Sequence, residues 1–332
     1  MDSNGIALKL IHANGKNVSS RLAEALGVSR QAASAKLRQL KKQGLISSTG
    51  NGAGVVYSLS VLEHASSAFQ IAGLSEDFVW RSLCQPIIAK LPDNVRAIWQ
   101  YGITEMVNNA IDHSGAVDVE VSISQTAIDT TVSVSDAGEG IFHKIQQALG
   151  LFDAREAILE LTKGKFTTDP ANHSGEGIFF SSKAFDAFDI HSGGLTFVHD
   201  AGQTDILLDG RPMQPGTTIY MRLSNNSQTV LHDVFDRFAQ PDEYTFAHTI
   251  VPVRLAQHEG EMLVSRSQAK RLVRRFERFT KVLLDFAGVE DIGQAFADEV
   301  FRVFQRAHSG TTLATVNVSP RVQNMISRAL AA

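Results

Sequence analysis

The chain has 332 residues, of which 43% are hydrophobic and 20% charged, and its formal net charge is −4. This length exceeds what one hydrophobic core usually organises, so it predicts two or three domains. Apolar runs of about 18 residues and a secretory signal are both missing, so we expect a cytoplasmic protein without a membrane partner. The lone cysteine, Cys84, excludes an internal disulfide and a multi-cysteine zinc site, and we expect it in a core.

The charge is distributed unevenly along the chain. Residues 1–60 carry eight Lys and Arg against Asp2 and Glu24, a net charge of +6, so the remainder carries −10. A basic segment in front of an acidic body indicates that only this segment contacts a polyanion.

The first domain, residues 1–60, is predicted to contain three helices and a hairpin. Apolar residues recur with helical spacing over 5–12 and 17–26, and Ser29 is a suitable N-cap for a third helix. The glycine-rich stretch 45–59 predicts two short strands around a flexible tip. This order of elements resembles the winged helix-turn-helix of bacterial transcription regulators.

In that resemblance the third helix enters the major groove of DNA. The residues that would contact bases or phosphates are Arg30, Gln31, Ser34, Arg38 and Lys41, with Lys41 and Lys42 directed at the backbone. The alternative is that the basic helix is a solvated face of a protein-binding domain. The helix order, the glycine-rich tip and the local positive charge favour DNA.

Residues 61–74 are predicted to be a linker, followed by a helix over about 76–90 and a longer helix over about 93–113. On the longer helix Glu105 and Asn109 are four residues apart and therefore share a face. An Asn amide oxygen suits magnesium that is already held by phosphates, and a carboxylate one turn away can polarise an attacking water.

The stretch EMVNNAIDHS resembles the N-box of GHKL ATPases, the superfamily of gyrase B, Hsp90, MutL and the histidine kinases. The resemblance implies ATP and Mg²⁺ as cofactors, Asn109 as the magnesium ligand and Glu105 as the general base. The neighbouring Asn108, Asp112 and His113 are interpreted as a polar helix end, with Asp112 or His113 a candidate for the pocket wall.

Two alternating segments, 117–123 and 129–136, predict an antiparallel hairpin. The second ends in DAGEGI, where Asp136, Gly138 and Gly140 match the DxGxG box of the same superfamily. In that box the Asp carboxylate accepts a hydrogen bond from the adenine amino group, and the glycines let the backbone approach the nucleotide.

A second glycine box follows. Ser174, Gly175 and Gly177 precede an apolar helix, an arrangement that presents backbone N–H groups to phosphate. The resemblance makes the preceding segment the mobile ATP lid, so Lys163, Lys165 and His173 are candidates for phosphate contact, with solvated loop residues as the alternative. This box reads SGEG where many relatives have a fuller GxGxG, which leaves the lid geometry open.

The segment Pro215-Gly216-Thr217 resembles the closing Gly-Thr of the superfamily, whose Thr helps to hold adenine through water. Residues 75–225 are therefore predicted to form a GHKL (Bergerat) α/β sandwich, and the whole chain is predicted to be a multidomain α/β protein. The missing phosphoacceptor-histidine helix pair argues against an ordinary sensor kinase.

The tail, residues 244–332, alternates strands and helices, beginning with a predicted strand over 261–265. Such alternation predicts a mainly parallel sheet. The tail resembles the STAS-like domains of bacterial regulators, which implies a docking site for a regulatory protein. The hydroxyl that anti-sigma-factor antagonists phosphorylate is absent from 290–294, which disfavours self-phosphorylation. The basic face of Arg271, Arg274, Arg275 and Arg278 is interpreted as solvated surface rather than a second polyanion contact.

These features favour an ATP-responsive, DNA-binding transcription regulator, expected to be a homodimer, in which any hydrolysis is slow and serves as a reset. Two alternatives stay open. One is an anti-sigma-type protein kinase that works by partner switching, and the other is an ATP-dependent defence or assembly factor that holds DNA.

Overall fold

The computed structural model describes residues 2–166, 175–202, 205–210, 212–239, 246–257 and 261–331. Within these ranges the strands form three sheets, of two, seven and three strands in chain order. We refer to the parts that hold them as the N-terminal unit (2–59), the central unit (63–238) and the C-terminal unit (246–331). The predicted multidomain α/β architecture is confirmed.

The N-terminal unit consists of three helices and a two-stranded antiparallel hairpin. The Ser29 hydroxyl caps the third helix by accepting a hydrogen bond from Ala32 N at 3.2 Å. Apolar residues at helical spacing, such as Leu22 and Leu37, are fully buried in a core that this unit forms itself. The elements are α1 (Ser3–Ala13), α2 (Val18–Leu26), α3 (Arg30–Lys42), β1 (Ile46–Thr49) and β2 (Val56–Leu59).

The central unit is a seven-stranded antiparallel sheet in the order β3-β4-β5-β9-β6-β7-β8. Its strands are β3 (Glu63–Gln70), β4 (Asp118–Gln125), β5 (Asp129–Asp136), β6 (Ala187–Ser192), β7 (Leu195–Asp200), β8 (Ile206–Leu208) and β9 (Thr217–Ser224).

Helices of the central unit pack on this sheet. A long helix, α6 (Asp93–His113), buries Trp99, Ile103 and Val107 against it. The bounds of the others are α4 (Glu76–Val79), α5 (Gln85–Ile88), α7 (Ile141–Leu149), α8 (Ala154–Lys163), α9 (Gly177–Ala184) and α10 (Leu231–Phe238). A π-helical stretch, Trp80–Cys84, joins α4 to α5, and it buries Cys84 completely.

The predicted linker over 61–74 is wrong for most of its length, because β3 occupies Glu63–Gln70. This strand pairs with β4 along all eight residues and forms one edge of the seven-stranded sheet. Its inward positions include Ala65, Ser67 and Phe69, which are only half-buried. An edge strand with such a weakly apolar inner face gives little hydrophobic signal, and only the pairing with β4 reveals it.

The C-terminal unit has a parallel three-stranded sheet covered by helices, as predicted. Its first strand, however, is His248–Pro252 and not 261–265, where Leu263 forms only a single bridge to Ile292. Met262 and Val264 on either side of Leu263 are exposed, so that segment buries too little to be a full strand. The elements are β10 (His248–Pro252), α11 (Arg266–Val273), β11 (Lys281–Asp285), α12 (Gln294–Ala297), a π-helical stretch (Asp298–Phe304), α13 (Gln305–Ala307), β12 (Thr312–Val316) and α14 (Pro320–Ala331).

The central and C-terminal units share one continuous apolar core and a buried ionic cluster. The Glu160 carboxylate on α8 accepts hydrogen bonds from Lys163 Nζ at 2.8 Å and from Arg275 Nη1 at 3.1 Å. Burial lowers the pKa of Lys163 to about 8, against the opposing effect of the Glu160 charge. One carboxylate thus pairs with two buried cations at the junction of the two units.

Replacing Glu160 by Gln is expected to lower the free energy of unfolding by about 3–5 kcal/mol, because both buried cations lose their counter-charge. The matched control is Glu156→Gln. Glu156 is itself only 9% exposed, but its partner Arg271, 3.3 Å away, is 22% exposed and reaches water, so a smaller loss of about 1–2 kcal/mol is expected. Urea unfolding at neutral pH measures both. Equal losses in the two variants would contradict the prediction.

Candidate functional site

A cavity of about 310 Å³ lies between α6, the end of β5, the start of β9 and the N-terminus of α9. Its walls bring together seven of the residues that the sequence singled out, although they span more than a hundred positions. These are Glu105, Asn109, Asp136, Gly140, Gly175, Gly177 and Thr217.

Asp136 and Thr217 face each other at one end of the cavity, because the last residue of β5 pairs with the first residue of β9. Asp136 Oδ1 accepts hydrogen bonds from Gly138 N at 2.9 Å and Thr217 N at 3.3 Å. The Thr217 hydroxyl accepts one from Ile141 N at 2.9 Å. These bonds fix the loop between β5 and α7, and none of the described residues donates to the other Asp136 oxygen, Oδ2.

The electrostatics of Asp136 follow from this position. Burial raises the pKa of its carboxyl, and the N–H groups of Gly138 and Thr217 only partly oppose that effect. A half-buried carboxylate oxygen without a protein donor is suited to accept a hydrogen bond from a ligand amino group.

Glu105 and Asn109 line the opposite part of the cavity from the same face of α6, as their spacing predicted. The N-terminus of α9 packs directly on Glu105, since a Cβ on Gly177 would lie only 1.9 Å from Glu105 Oε2. A larger residue at position 177 would therefore have to displace the Glu105 carboxylate.

The buried amide of Asn109 indicates whether a magnesium-bound phosphate fits this part of the cavity. Its Nδ2 atom is buried and has no hydrogen-bond partner in the described structure. Buried polar atoms are nearly always paired, and the two ends of an Asn amide can be exchanged. An amide left unpaired beside a helix N-terminus fits a magnesium-bound phosphate, which would satisfy it.

Two lysines that were predicted to contact phosphate, Lys163 and Lys165, do not line the cavity. Lys163 is completely buried and donates to Glu160 and to the backbone oxygens of Arg271 and Arg274, at 3.2 and 2.9 Å. Lys165 Nζ donates to Arg278 O at 3.1 Å and lies over the rings of two phenylalanines in the C-terminal unit. Both lysines point away from the cavity because α8 and the two residues after it pack on the C-terminal unit.

Of the other residues predicted to bind nucleotide, one is described by the structure and two are not. Gly138 lies beside the cavity and acts through its N–H group on Asp136. His173 and Ser174 fall outside the described residues.

The basic face of the C-terminal unit is only partly solvated, because Arg278 is exposed, Arg271 and Arg274 are half-buried and Arg275 is buried. Arg275 is 7% exposed and bonds to Glu160, and Arg271 pairs with Glu156. Arg278 donates to Lys165 O at 3.2 Å. These arginines cover α8 and the segment that follows it, which no inspection of the tail by itself could show.

Several wall residues were missed as ligand contacts. Lys144 on α7 lines the cavity and donates to His113 O at 2.7 Å. It lies one helical turn after Gly140, and this spacing was a usable signal. Phe166 forms an aromatic wall, for which no sequence signal exists, and Asn108 lines the cavity rather than merely ending a helix. His113 also lines the cavity, as one of the two candidates for the pocket wall.

The predicted DNA-contacting residues lie together on α3. Arg30, Gln31, Arg38 and Lys41 are exposed and Ser34 is partly exposed. Lys41 Nζ donates to the Ser48 hydroxyl on β1 at 2.7 Å, which joins the helix to the hairpin.

The N-terminal unit contacts the central unit at the turn between β4 and β5. Ala127 and Ile128 of this turn pack against the core of the N-terminal unit. His12 Nδ1 on α1 lies 3.1 Å from Asp129 Oδ2, at the first residue of β5. The other end of the same strand is Asp136 in the cavity.

Comparisons with known proteins agree with this description. Residues 96–227 match the family model described as histidine kinase-, DNA gyrase B-, and HSP90-like ATPase, and residues 268–323 match the STAS-like domain of unknown function (DUF4325). The chain therefore contains a GHKL-type ATPase domain, a type that binds ATP with Mg²⁺, and a C-terminal STAS-like domain.

Among solved structures, a crystal structure of IcIR transcriptional regulator from Alicyclobacillus acidocaldarius is similar over 70% of this chain and 90% of that chain. The identity is 15% and the TM-score is 0.22, too low to indicate a shared fold. No curated protein matches the chain. In the described ranges, none of the helices combines the length and the apolar character needed to cross a membrane.

Nucleotide affinity is expected to fall as the pH is lowered from 8 towards about 5, because protonation of Asp136 removes an acceptor for the adenine amino group. The raised pKa of Asp136 places this loss at a higher pH than for an ordinary aspartate. Calorimetric titration with a non-hydrolysable Mg-ATP analogue at several pH values measures it.

The control for this titration is Asp136→Asn, which is expected to bind about tenfold more weakly at pH 8. Titration of the phosphates affects both proteins alike, so only the difference between their pH profiles reports on Asp136. Parallel profiles would exclude this role of the carboxylate.

Proposed function

We propose that the protein is an ATP-responsive, DNA-binding transcription regulator. The observation that carries the proposal is strand β5, whose first residue, Asp129, contacts the N-terminal unit and whose last residue, Asp136, lies in the nucleotide cavity. A single rigid strand thus joins the two sites whose states the proposal links.

The nucleotide part rests on the chain's own residues. Asp136 and Thr217 recognise the adenine end, and the N-terminus of α9 receives the phosphates with its free backbone N–H groups. Asn109 holds Mg²⁺, which neutralises phosphate charge when bound. Glu105 is positioned to accept a proton from an attacking water, so slow hydrolysis resets the protein.

The DNA part rests on the order of elements and on charge. Three helices followed by a hairpin have the arrangement of a winged helix, and the third of them, α3, carries an exposed basic face. With a net charge of +6 in the first 60 residues, the unit attracts a polyanion, whereas the acidic remainder of the chain repels it.

Coupling requires that ATP binds one arrangement of the units more tightly than another. The turn 126–128 and the His12–Asp129 contact are the features that a shift of β5 would change first. Homodimerisation, expected of winged helices and of GHKL proteins, would double such a shift across two DNA half-sites.

Glu105→Gln is expected to retain Mg-ATP binding and to lose turnover by about 100-fold or more, because the amide has nearly the same shape but cannot accept the proton. Release of inorganic phosphate and calorimetric binding are measured on the same preparation. The control is Asn109→Ala, which is expected to lose magnesium-dependent binding. Turnover retained in Glu105→Gln would reject Glu105 as the base.

The proposal as a whole is tested by sequencing the genomic fragments that the purified protein retains, with and without ATP and Mg²⁺. A few sites whose occupancy depends on ATP in the unmutated protein, and not in Asn109→Ala, are the expected result. Arg38→Ala should weaken binding by about 1–3 kcal/mol at fixed salt, whereas Lys9→Ala on α1 should change it little.

Two other results of this experiment would favour a different function. Retention of DNA without preferred sites would support an ATP-dependent factor that holds DNA without regulating a promoter. No retained DNA in either condition would overturn the DNA-binding role and move the N-terminal unit to protein contacts, as in a kinase that works by partner switching.

A further inference from the structure

The segment 164–166 connects α8 to the wall of the nucleotide cavity. Phe166 at its end lines the cavity, and its N–H group donates to Gly175 O at 3.2 Å, so the segment also meets the second glycine box. Any change in the path of these three residues therefore alters both the aromatic wall and the approach to α9.

Two arginines of the C-terminal STAS-like domain hold this segment. Arg278 Nη1 donates to Lys165 O at 3.2 Å from an exposed position, and Arg275 makes the buried contacts. Arg275 Nη2 donates to Gly164 O at 2.9 Å and also to Lys165 O. The same guanidinium lies 5.4 Å from the centre of the Phe166 ring, and its Nη1 pairs with Glu160. Arg275 is only 7% exposed, so these contacts form in a nearly water-free junction.

The backbone is strained on both sides of the contact between Arg275 and residues 164–166. Lys165 has a φ of +51° and Arg275 a φ of +66°, a left-handed conformation that side chains other than glycine rarely adopt. Such strain persists only where the surroundings impose it, and it is often found where a conformation matters for function. Residues 164–166 therefore follow a path that the STAS-like domain imposes and that their own sequence does not favour.

We propose that Arg275 is a positioning residue for nucleotide binding, through which the STAS-like domain sets the aromatic wall of the ATP cavity. The ATPase domain then has its full affinity for ATP only while the STAS-like domain is docked on α8. By reciprocity, bound nucleotide strengthens this docking. The inference rests on the ATP binding proposed above and adds the domain that controls it.

The test compares Arg275→Met with Arg271→Met in the full chain. Arg271 on α11 pairs with Glu156 on α8, about two turns before Gly164, so its loss removes an interdomain ion pair but leaves the Arg275 contacts in place. Calorimetry with a non-hydrolysable Mg-ATP analogue is expected to show about tenfold weaker binding for Arg275→Met and less than about threefold for Arg271→Met.

Amide hydrogen exchange of the nucleotide-free proteins provides a readout that does not depend on ligand. Exchange at residues 164–166 is expected to accelerate in Arg275→Met and to stay unchanged in Arg271→Met. Arg275→Lys keeps the charge beside Glu160 but lacks the planar fork, so it should recover stability while nucleotide affinity stays reduced. This variant also decides the matter if Arg275→Met does not fold.

The possible results separate the two proposals. If the unmutated protein binds the analogue and all three variants bind it equally well, the role of Arg275 is overturned and the ATP site stands. If the unmutated protein does not bind the analogue, the proposed ATP binding and the role of Arg275 are both rejected.

Discussion

The pairing of β5 with β9 is the interaction on which the rest of the site depends. It sets Asp136 opposite Thr217, and the hydrogen bonds between them and to Gly138 and Ile141 fix the loop that begins α7. Because β5 lies in the interior of the sheet, with β4 on its other side, this geometry is held by a complete set of backbone hydrogen bonds. The recognition end of the cavity is thus rigid.

The opposite end of the cavity is built differently. The start of α9 approaches α6 so closely that a Cβ at position 177 would displace the Glu105 carboxylate, and the buried Nδ2 atom of Asn109 has no hydrogen-bond partner among the described residues. A phosphate group with its metal ion would complete this end. Under the proposed function, the Asp136 end is preformed for the base, whereas the Asn109 end keeps an unpaired buried atom for the phosphates and their metal ion.

The two flanking domains reach the cavity by different physical means. The N-terminal unit contacts the first residue of β5 through His12, and the turn before β5 through a small apolar contact. The STAS-like domain shares a continuous core with the ATPase domain and adds the buried Glu160 cluster. The junction with the STAS-like domain is thus the more extensive and the more deeply buried of the two.

The sequence by itself determined the local features. Helix spacing and capping predicted α3 and α6, alternation predicted the β4–β5 hairpin, and the order of motifs indicated Glu105, Asn109, Asp136 and Thr217 as one site. Each of these signals lies in a few consecutive residues or in one helix face, where periodicity and hydrogen-bonding chemistry act directly.

Only the tertiary structure decided what depends on a distant partner. The edge strand β3 is defined by its pairing with β4, and the burial of Lys163 and Arg275 is defined by the junction of two domains. As isolated residues, two cations near a glycine box suggested phosphate contacts, and a row of arginines suggested solvent. The burial of a charge depends on what packs over it, and no local pattern in the chain records that.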